Sequence, residues 1–459
     1  MTLTTSSYQV SPISEPAPGI RVPPVTDWRS LPAEQQPVWP DPALLEQVQD
    51  QLTLQPPLTA PADVRRLGSA LAHAGAGRAF LLQAGDCAEP TGTAGVAAVR
   101  GKHRIISQMA EIISNHTDLP TVTVGRIAGQ HAKPRSVAQE TVGDRTLPVY
   151  RGDLVNDAAP HPEARVPDPR RMLTAYRTAR AVINELHLIA HETVSGLLPH
   201  TWEEDAVHAA VPTRPYDGTL RSVIRNYGRT VKVNGSWRRT GLWTSHEALV
   251  LDYEQTLVRR DPHTGEHYLL STHLPWIGDR TRRLDGAHVA FLTQIANPVA
   301  CKVGPGITPE DLTELCGRLD PHRRPGRLTL ISRFGAGLIR ERLPVLSRAV
   351  RAAGHDVLWV CDPMHGNTFK ASNGVKTRRM SDIHAEITAF FEVMTDAGHW
   401  PGGIHLEIAG DHVTECLGAG GPAAEEGLTR AYRTLCDPRL NDTQALLTIR
   451  KVAELIARG

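Results

Sequence analysis

The chain has little cysteine, few aromatic side chains and almost no net charge. Its 459 residues include six cysteines, at 87, 301, 316, 361, 416 and 436. No two are spaced Cys-x-x-Cys, which excludes a disulfide framework and the usual local zinc and redox motifs. Lysine plus arginine count 50 against 49 acidic residues, a formal charge of +1. That balance excludes a broad nucleic-acid-binding face, though not local basic pockets. No apolar run approaches the ~18 residues of a membrane span. The first charged residue is Glu15, with no apolar signal segment before it, so a cytoplasmic protein is expected. Dinucleotide binding is excluded too: Gly75 and Gly77 lack a third glycine and precede an apolar run instead of following one. There is no P-loop, HExxH or GxSxG pattern.

Hydrophobic residues make up 41% of the chain, enough for a large core. Residues 1–40 are proline-rich and read as an extended arm, expected to reach across a subunit contact. Helical spacing of Leu44, Leu45, Val48 and Leu52, then of Val64, Leu67 and Leu71, predicts two helices before residue 75. From residue 76 onward short continuous apolar runs alternate with helical stretches. The runs are 79–84, 121–124, 242–245, 268–271, 299–303, 328–331, 357–360 and 404–408. Runs that do not alternate mark parallel strands buried on both faces, and eight of them with helical crossovers predict a (β/α)8 barrel. Thr308-Pro309-Glu310-Asp311 reads as a helix start. A helix over 172–191 leads into an insertion at about 192–240, with a possible further helix at 219–227.

An α/β barrel places its chemistry at the C-terminal ends of the strands, so each exit is informative. Arg126, Arg280, Lys302 and Arg333 lie at four exits. Four cations on one rim require an anion, and arginine forks fit phosphate and carboxylate. A second basic group is Lys133-Pro134-Arg135-Ser136, with Lys376-Thr377-Arg378 as another candidate phosphate holder. Cys87, His365 and Glu407 lie at three further exits, and Asp437 follows downstream. Sulfur, imidazole and two carboxylates suit a first-row divalent ion such as Mn²⁺, Co²⁺, Fe²⁺ or Zn²⁺. His405 shares a strand face with Glu407 and is a rival ligand.

The exits, taken together, resemble class II 3-deoxy-D-arabino-heptulosonate 7-phosphate (DAHP) synthases. The resemblance rests on Gln83-Ala-Gly-Asp-Cys-Ala-Glu89, Val124-Gly-Arg-Ile-Ala-Gly-Gln130, Lys133-Pro-Arg-Ser136, Thr244-Ser-His-Glu-Ala-Leu249, Lys302-Val-Gly-Pro305, Cys361-Asp-Pro-Met-His-Gly-Asn-Thr368 and Cys436-Asp-Pro-Arg-Leu-Asn441, in collinear order. It implies a (β/α)8 barrel over 76–459 behind an N-terminal extension, and a transferase that condenses phosphoenolpyruvate with erythrose 4-phosphate at the head of the shikimate pathway. It implies a divalent metal, Mn²⁺ or Co²⁺ first among the candidates, held by Cys87, His365, Glu407 and Asp437, and it removes His405 as a ligand. Phosphoenolpyruvate falls to Arg126, Arg280, Lys302 and Arg333. Lys133, Arg135 and Ser136 serve the phosphate of erythrose 4-phosphate. A homodimer or homotetramer and a chorismate mutase partner are further expectations. The chemistry makes Lys302 a proton donor and Glu247 a holder of the attacking water. One departure matters: Asp279 stands where the family usually has glutamate, and its shorter side chain is expected to retract from the substrate. His131 also stands where tyrosine or phenylalanine is common. Two alternatives are a secondary-metabolism paralogue of phenazine or ansamycin type that takes an amino-sugar acceptor, and a catalytically idle regulatory barrel.

Overall fold

A computed structural model describes residues 28–197, 228–233, 236–239 and 241–458. Eight parallel strands close into a barrel: β1 (Phe80–Gly85), β2 (Thr121–Arg126), β3 (Trp243–Glu247), β4 (Leu274–Ile277), β5 (Val299–Val303), β6 (Leu328–Ser332), β7 (Leu358–Cys361) and β8 (Gly403–Glu407). Each pairs with its neighbour in chain order, and β8 closes on β1. All eight strands are buried along their whole length, as the non-alternating runs require.

The period of two sorts each strand. Phe80, Leu82 and Ala84 of β1 face outward to the helices. Leu81 faces inward, with Val122, Val124, Trp243, Trp276, Ile331 and Val360. Helix α1 (Pro42–Thr53) starts on Asp41, whose carboxylate accepts from the Leu44 N–H. Helix α2 (Pro61–Gly75) places Leu67, Ala70, Leu71 and Ala74 in the same cluster as the barrel interior, so it closes the N-terminal end of the barrel. The crossover helices are α3 (Val99–Thr117), α4 (Arg170–Leu197), α5 (Ala287–Thr293), α6 (Pro309–Leu319), α7 (Ile339–Ala352), α8 (Met380–Asp396) and α9 (Asp442–Arg458). Helix α6 begins where the sequence predicts, with the Thr308 hydroxyl accepting from the Asp311 N–H at 3.1 Å.

Three expectations change. The fourth barrel strand is Leu274–Ile277; the apolar run at 268–271 overlaps His267–Leu269, a hairpin strand paired with Val258–Arg260. That run is apolar because Tyr268 and Leu270 pack on Val64 of α2. The true strand is four residues long and carries Pro275, which reads as a strand breaker. Residues 28–40 lie on their own barrel: Trp28 Nε1 donates to Gln255, Trp39 Nε1 donates to Asp252, and the Ala287 N–H donates to the Pro32 carbonyl. Residues 1–27 lie outside the described residues, as does the possible helix at 219–227. Within the expected insertion, Thr230–Val233 and Ser236–Arg239 form an antiparallel hairpin. No helix among the described residues is long and apolar enough to cross a membrane.

The loops at the C-terminal rim are fixed by buried carboxylates. Glu89 accepts from the backbone N–H of Ala128, Gly129 and Gln130 at 2.9–3.1 Å. Glu415 accepts from the N–H of Arg433, Thr434 and Arg439, and also holds the Arg439 guanidinium. Arg439 in turn reaches Asp86, next to Cys87. Glu386, on α8, accepts from the N–H of Phe334 and Gly335 and from Asn367 Nδ2, which ties the loop after β6 to the loop after β7. Each carboxyl group satisfies donors that burial would otherwise orphan.

Two predictions follow from these anchors. Thr308→Ala should cost about 1 kcal/mol of stability, with Thr308→Ser restoring most of it, measured by denaturant unfolding. Burial pushes the Glu386 carboxyl up to about 8, against its backbone donors. Between its ordinary value of about 4.5 and that value, the folded chain holds a proton that the unfolded chain has released. Stability therefore falls as pH rises through this window. Glu386→Gln should remove that slope, so that wild-type thermal midpoints fall relative to the variant between about pH 5 and pH 9.

Candidate active site and metal centre

Strand register brings distant residues level. Gly85 of β1 stands beside both Arg126 of β2 and Glu407 of β8. Cys87 follows two residues past Gly85, and Ile408 is bridged to Leu440, which draws the 436–441 loop onto the same rim. Donor atoms of Cys87, Glu407 and Asp437 consequently all lie within 4.8 Å of one another. His365 Nε2 joins them 3.0 Å from Glu407 Oε1.

A cation already sits among these atoms. Lys133 Nζ lies 3.0 Å from Cys87 Sγ, 3.4 Å from His365 Nε2, 3.1 Å from Glu407 Oε1 and 3.0 Å from Asp437 Oδ2. Although burial opposes its charge, Asp437, Cys87 and Glu407 hold the ammonium well above the ordinary lysine value. The histidine is set up as a ligand. Its Nδ1 bonds Asp362 at 2.7 Å, which assigns the proton to Nδ1 and turns the Nε2 lone pair toward the cage. Burial, Cys436 and Glu407 push the Cys87 thiol well up, so its thiolate needs a cation nearby. Sulfur, imidazole nitrogen and two carboxylates converging around a cation stand-in fit a divalent metal. His405 is excluded from the cage: Arg126 donates to its Nε2 at 2.7 Å, and Nδ1 bonds Gln83.

Beside the cage is a cavity of about 290 Å³. Arg126, Lys133, Arg135, Ser136, Glu247, Asp279, Arg280, Lys302, Arg333, His365 and Asp437 all line it, so the structure collects every sequence-predicted site residue except Cys87 and Glu407 on one wall-to-wall surface, and those two sit directly beneath. Trp276 supplies the floor, with Arg126 and Lys302 over its ring at 5.4 and 5.9 Å. Lys302 Nζ donates to Asp362 at 2.8 Å, and burial lowers its ammonium below the usual lysine value. Arg333 donates to Asp279 at 2.8 Å. Arg280 donates to the Ser136 hydroxyl at 2.5 Å, which joins the two basic groups. Burial raises Glu247, whose Oε1 has no hydrogen-bond partner among the described residues. A Cβ on Gly278 would meet that oxygen at 2.1 Å, so only glycine leaves the carboxyl its place.

Within the 376–378 segment Lys376 lines the cavity, and Arg378 departs from its expectation as a phosphate holder. Arg378 is fully buried and donates to Glu407 at 2.9 Å and to the Pro438 carbonyl, while Lys376 holds Asp437. Both brace carboxylates of the candidate cage. Asp279 lines the cavity and accepts from Arg282, Arg333 and the Gly304 N–H together. Sequence reasoning missed Asp362, which bonds both His365 and Lys302. Its place in Asp362-Pro-Met-His365, three residues before a ligand, was the available signal.

Comparison with known proteins agrees with this geometry. A relative from Streptomyces coelicolor, described as phospho-2-dehydro-3-deoxyheptonate aldolase, is 42% identical over 435 residues, covering 93% of this chain and 96% of that protein. A second from Mycolicibacterium smegmatis, phospho-2-dehydro-3-deoxyheptonate aldolase AroG, is 42% identical over 434 residues and 93% of each chain. A solved structure of phospho-2-dehydro-3-deoxyheptonate aldolase from Francisella tularensis shares the fold, with a TM-score of 0.50 at 13% identity, over 93% of this chain and 99% of that one. The profile of the class-II DAHP synthetase family matches residues 24–453, most of the barrel and its N-terminal helices included. With the strand-end motifs, the closed barrel and the donor cage in agreement, the chain belongs to the class-II DAHP synthetase family.

Proposed function

We propose that the barrel mouth, within a catalytic unit over 76–459, condenses phosphoenolpyruvate with erythrose 4-phosphate and water to give DAHP and phosphate. The observation that carries this reading is the convergence of Cys87, His365, Glu407 and Asp437 beside a cavity walled by Arg126, Arg280, Lys302 and Arg333. Both substrates are phosphorylated and one adds a carboxylate, which accounts for that density of fixed cations. The ion those four residues would hold, Mn²⁺ or Co²⁺ first among the candidates, supplies Lewis acidity toward the aldehyde oxygen.

The chain's own residues do the rest. Arg126 and Lys302 share the Trp276 face and hold the enol anion, with Arg333 beside them. Arg280, Ser136 and Arg135 form the outer anion site for the sugar phosphate. C3 of phosphoenolpyruvate attacks the aldehyde carbon, leaving positive character at C2. Water held by the Glu247 carboxylate, which lines the cavity, adds there and gives that carboxylate a proton; the resulting hemiketal phosphate collapses to the ketone with C–O cleavage, its hydroxyl proton leaving with phosphate. Lys302 passes a proton to the new alkoxide. Its lowered ammonium value brings it closer to the pH of the reaction, which a general acid requires. Asp362 orients both Lys302 and His365, so it couples the proton donor to the ligand cage. A homodimer or homotetramer and a chorismate mutase partner belong to the same reading and rest on the family alone.

The test is turnover after chelation, with single metals restored, using phosphoenolpyruvate with erythrose 4-phosphate and, separately, its amino-sugar analogue. Phosphate release with the first aldehyde is expected; release with the analogue alone would assign the chain to secondary metabolism, and release with neither would mark an idle barrel. Lys302→Met should lower kcat at least about a hundredfold and leave metal affinity intact; normal turnover with only a higher KM would remove the donor role. Asp362→Asn should weaken Mn²⁺ binding about ten- to a hundredfold, read by calorimetry without substrate.

A further inference from the structure

Lys133 holds the position that the ligand geometry reserves for a metal. Four donor atoms surround its ammonium at 3.0–3.4 Å, one from each of Cys87, His365, Glu407 and Asp437. This arrangement is not a surface accident. The Lys133 side chain is 7% exposed, and its backbone is fixed by an N–H bond to the Arg151 carbonyl and by Pro134. His365 Nε2 and Glu407 Oε1 lie 3.0 Å apart, and the ammonium sits beside that pair, in reach of both. Yet Glu407 is already bonded by Arg126 and Arg378, and Asp437 by Lys376. The ammonium adds a further positive charge on top of those partners.

An ion bonded to the same four atoms at the usual 2.0–2.3 Å would land on the ammonium. Two cations cannot share the point, and their repulsion in a buried site is large. The lysine has one other direction open to it, because Lys133 also lines the substrate cavity with Arg135 and Ser136. We propose that Lys133 is a resident counter-cation of the cage, which a divalent metal must displace and which, once displaced, adds its charge to the anion pocket. The proposal rests on the ligand set assigned above and goes beyond it. It makes metal loading and the charge of the substrate pocket a single event. Metal-free chain keeps its donors neutralised and its pocket one cation short, whereas loaded chain has that cation free to meet a phosphate.

The test uses the full chain and no substrate. Wild-type protein is treated with a small amine-labelling reagent, with and without saturating Mn²⁺, and Lys133 labelling is read by peptide mass spectrometry. Labelling should rise several-fold on Mn²⁺ loading, and an unchanged or lower yield overturns the proposal. In parallel, Mn²⁺ affinity is measured by calorimetry for wild type, Lys133→Met and Asp437→Asn. Removing the competing cation should tighten Mn²⁺ binding about tenfold or more in Lys133→Met; equal or weaker binding also overturns it. Asp437→Asn separates the two readings. If it loses Mn²⁺ while Lys133 proves indifferent, the ligand set stands and the displacement fails. If it binds Mn²⁺ as wild type does, the ligand set itself is wrong and the displacement falls with it. Should Lys133→Met not fold, the labelling of wild type decides alone.

Discussion

Glu407 is fully buried and both its oxygens are committed. Oε1 faces Arg126, Lys133 and His365; Oε2 faces Arg378. These four partners come from β2, from the loop after it, from the loop after β7 and from the segment ahead of α8. One carboxylate therefore holds four chain segments at one level. Its charge is secured by His365, Lys133, Arg126 and Arg378 against the strong opposition of burial, which keeps it ionised far below the ordinary glutamate range. Losing one partner of such a cluster costs more than the bond, because a buried charge is left uncompensated, typically by about 3–5 kcal/mol.

The same device recurs around the rim with neutral donors in place of cations. Glu89, Glu386 and Glu415 each gather backbone N–H groups of an active-site loop, and Asp86 links Arg439 to Lys102 beneath Cys87. Loops that would otherwise wander are held by carboxyl groups planted on neighbouring elements. That is the form of preorganisation a site needs when its chemistry is positioning and charge stabilisation. It also explains how Cys87 and Asp437, 350 residues apart, keep hydrogen-bond distance: the Asp437 N–H donates to the Cys87 sulfur at 3.3 Å, while Asp86 and Arg439 tie the adjoining backbone.

Much of this was legible in the chain. Continuous apolar runs betray strands buried on both faces, and residues that follow such runs must collect at one end of a barrel, so Arg126, Lys302, Arg333, His365 and Glu407 could be grouped without coordinates. The fourth strand was not legible, because a four-residue run containing Pro275 carries less signal than the apolar hairpin at 267–269. Partner choice was also hidden. Lys133 and Arg378 both lie in basic clusters that look like phosphate holders, and only three-dimensional placement shows each turned toward the Glu407 carboxylate. Residue type states that a cation is available; it does not state which anion takes it. Asp362 escaped for the complementary reason, since a carboxylate that positions two other groups has no spacing of its own.

Asp279 shows how the same logic bears on the substrate. Its carboxylate is shared among Arg333, Arg282 and the Gly304 N–H, and those contacts hold its own charge below the ordinary aspartate value despite burial. Arg333 also donates to the His365 carbonyl, so its fork is pinned from two sides before any anion arrives. A glutamate there would be one methylene longer. A single Cβ on Gly304 would lie 2.5 Å from Asp279 Oδ2, so the glycine leaves that carboxylate its place. The shorter side chain thus sits close against the β5 exit and leaves the cavity side of Arg333 to the substrate. Asp279 thus acts on the cavity through Arg333, whereas the donor cage is held by other carboxylates.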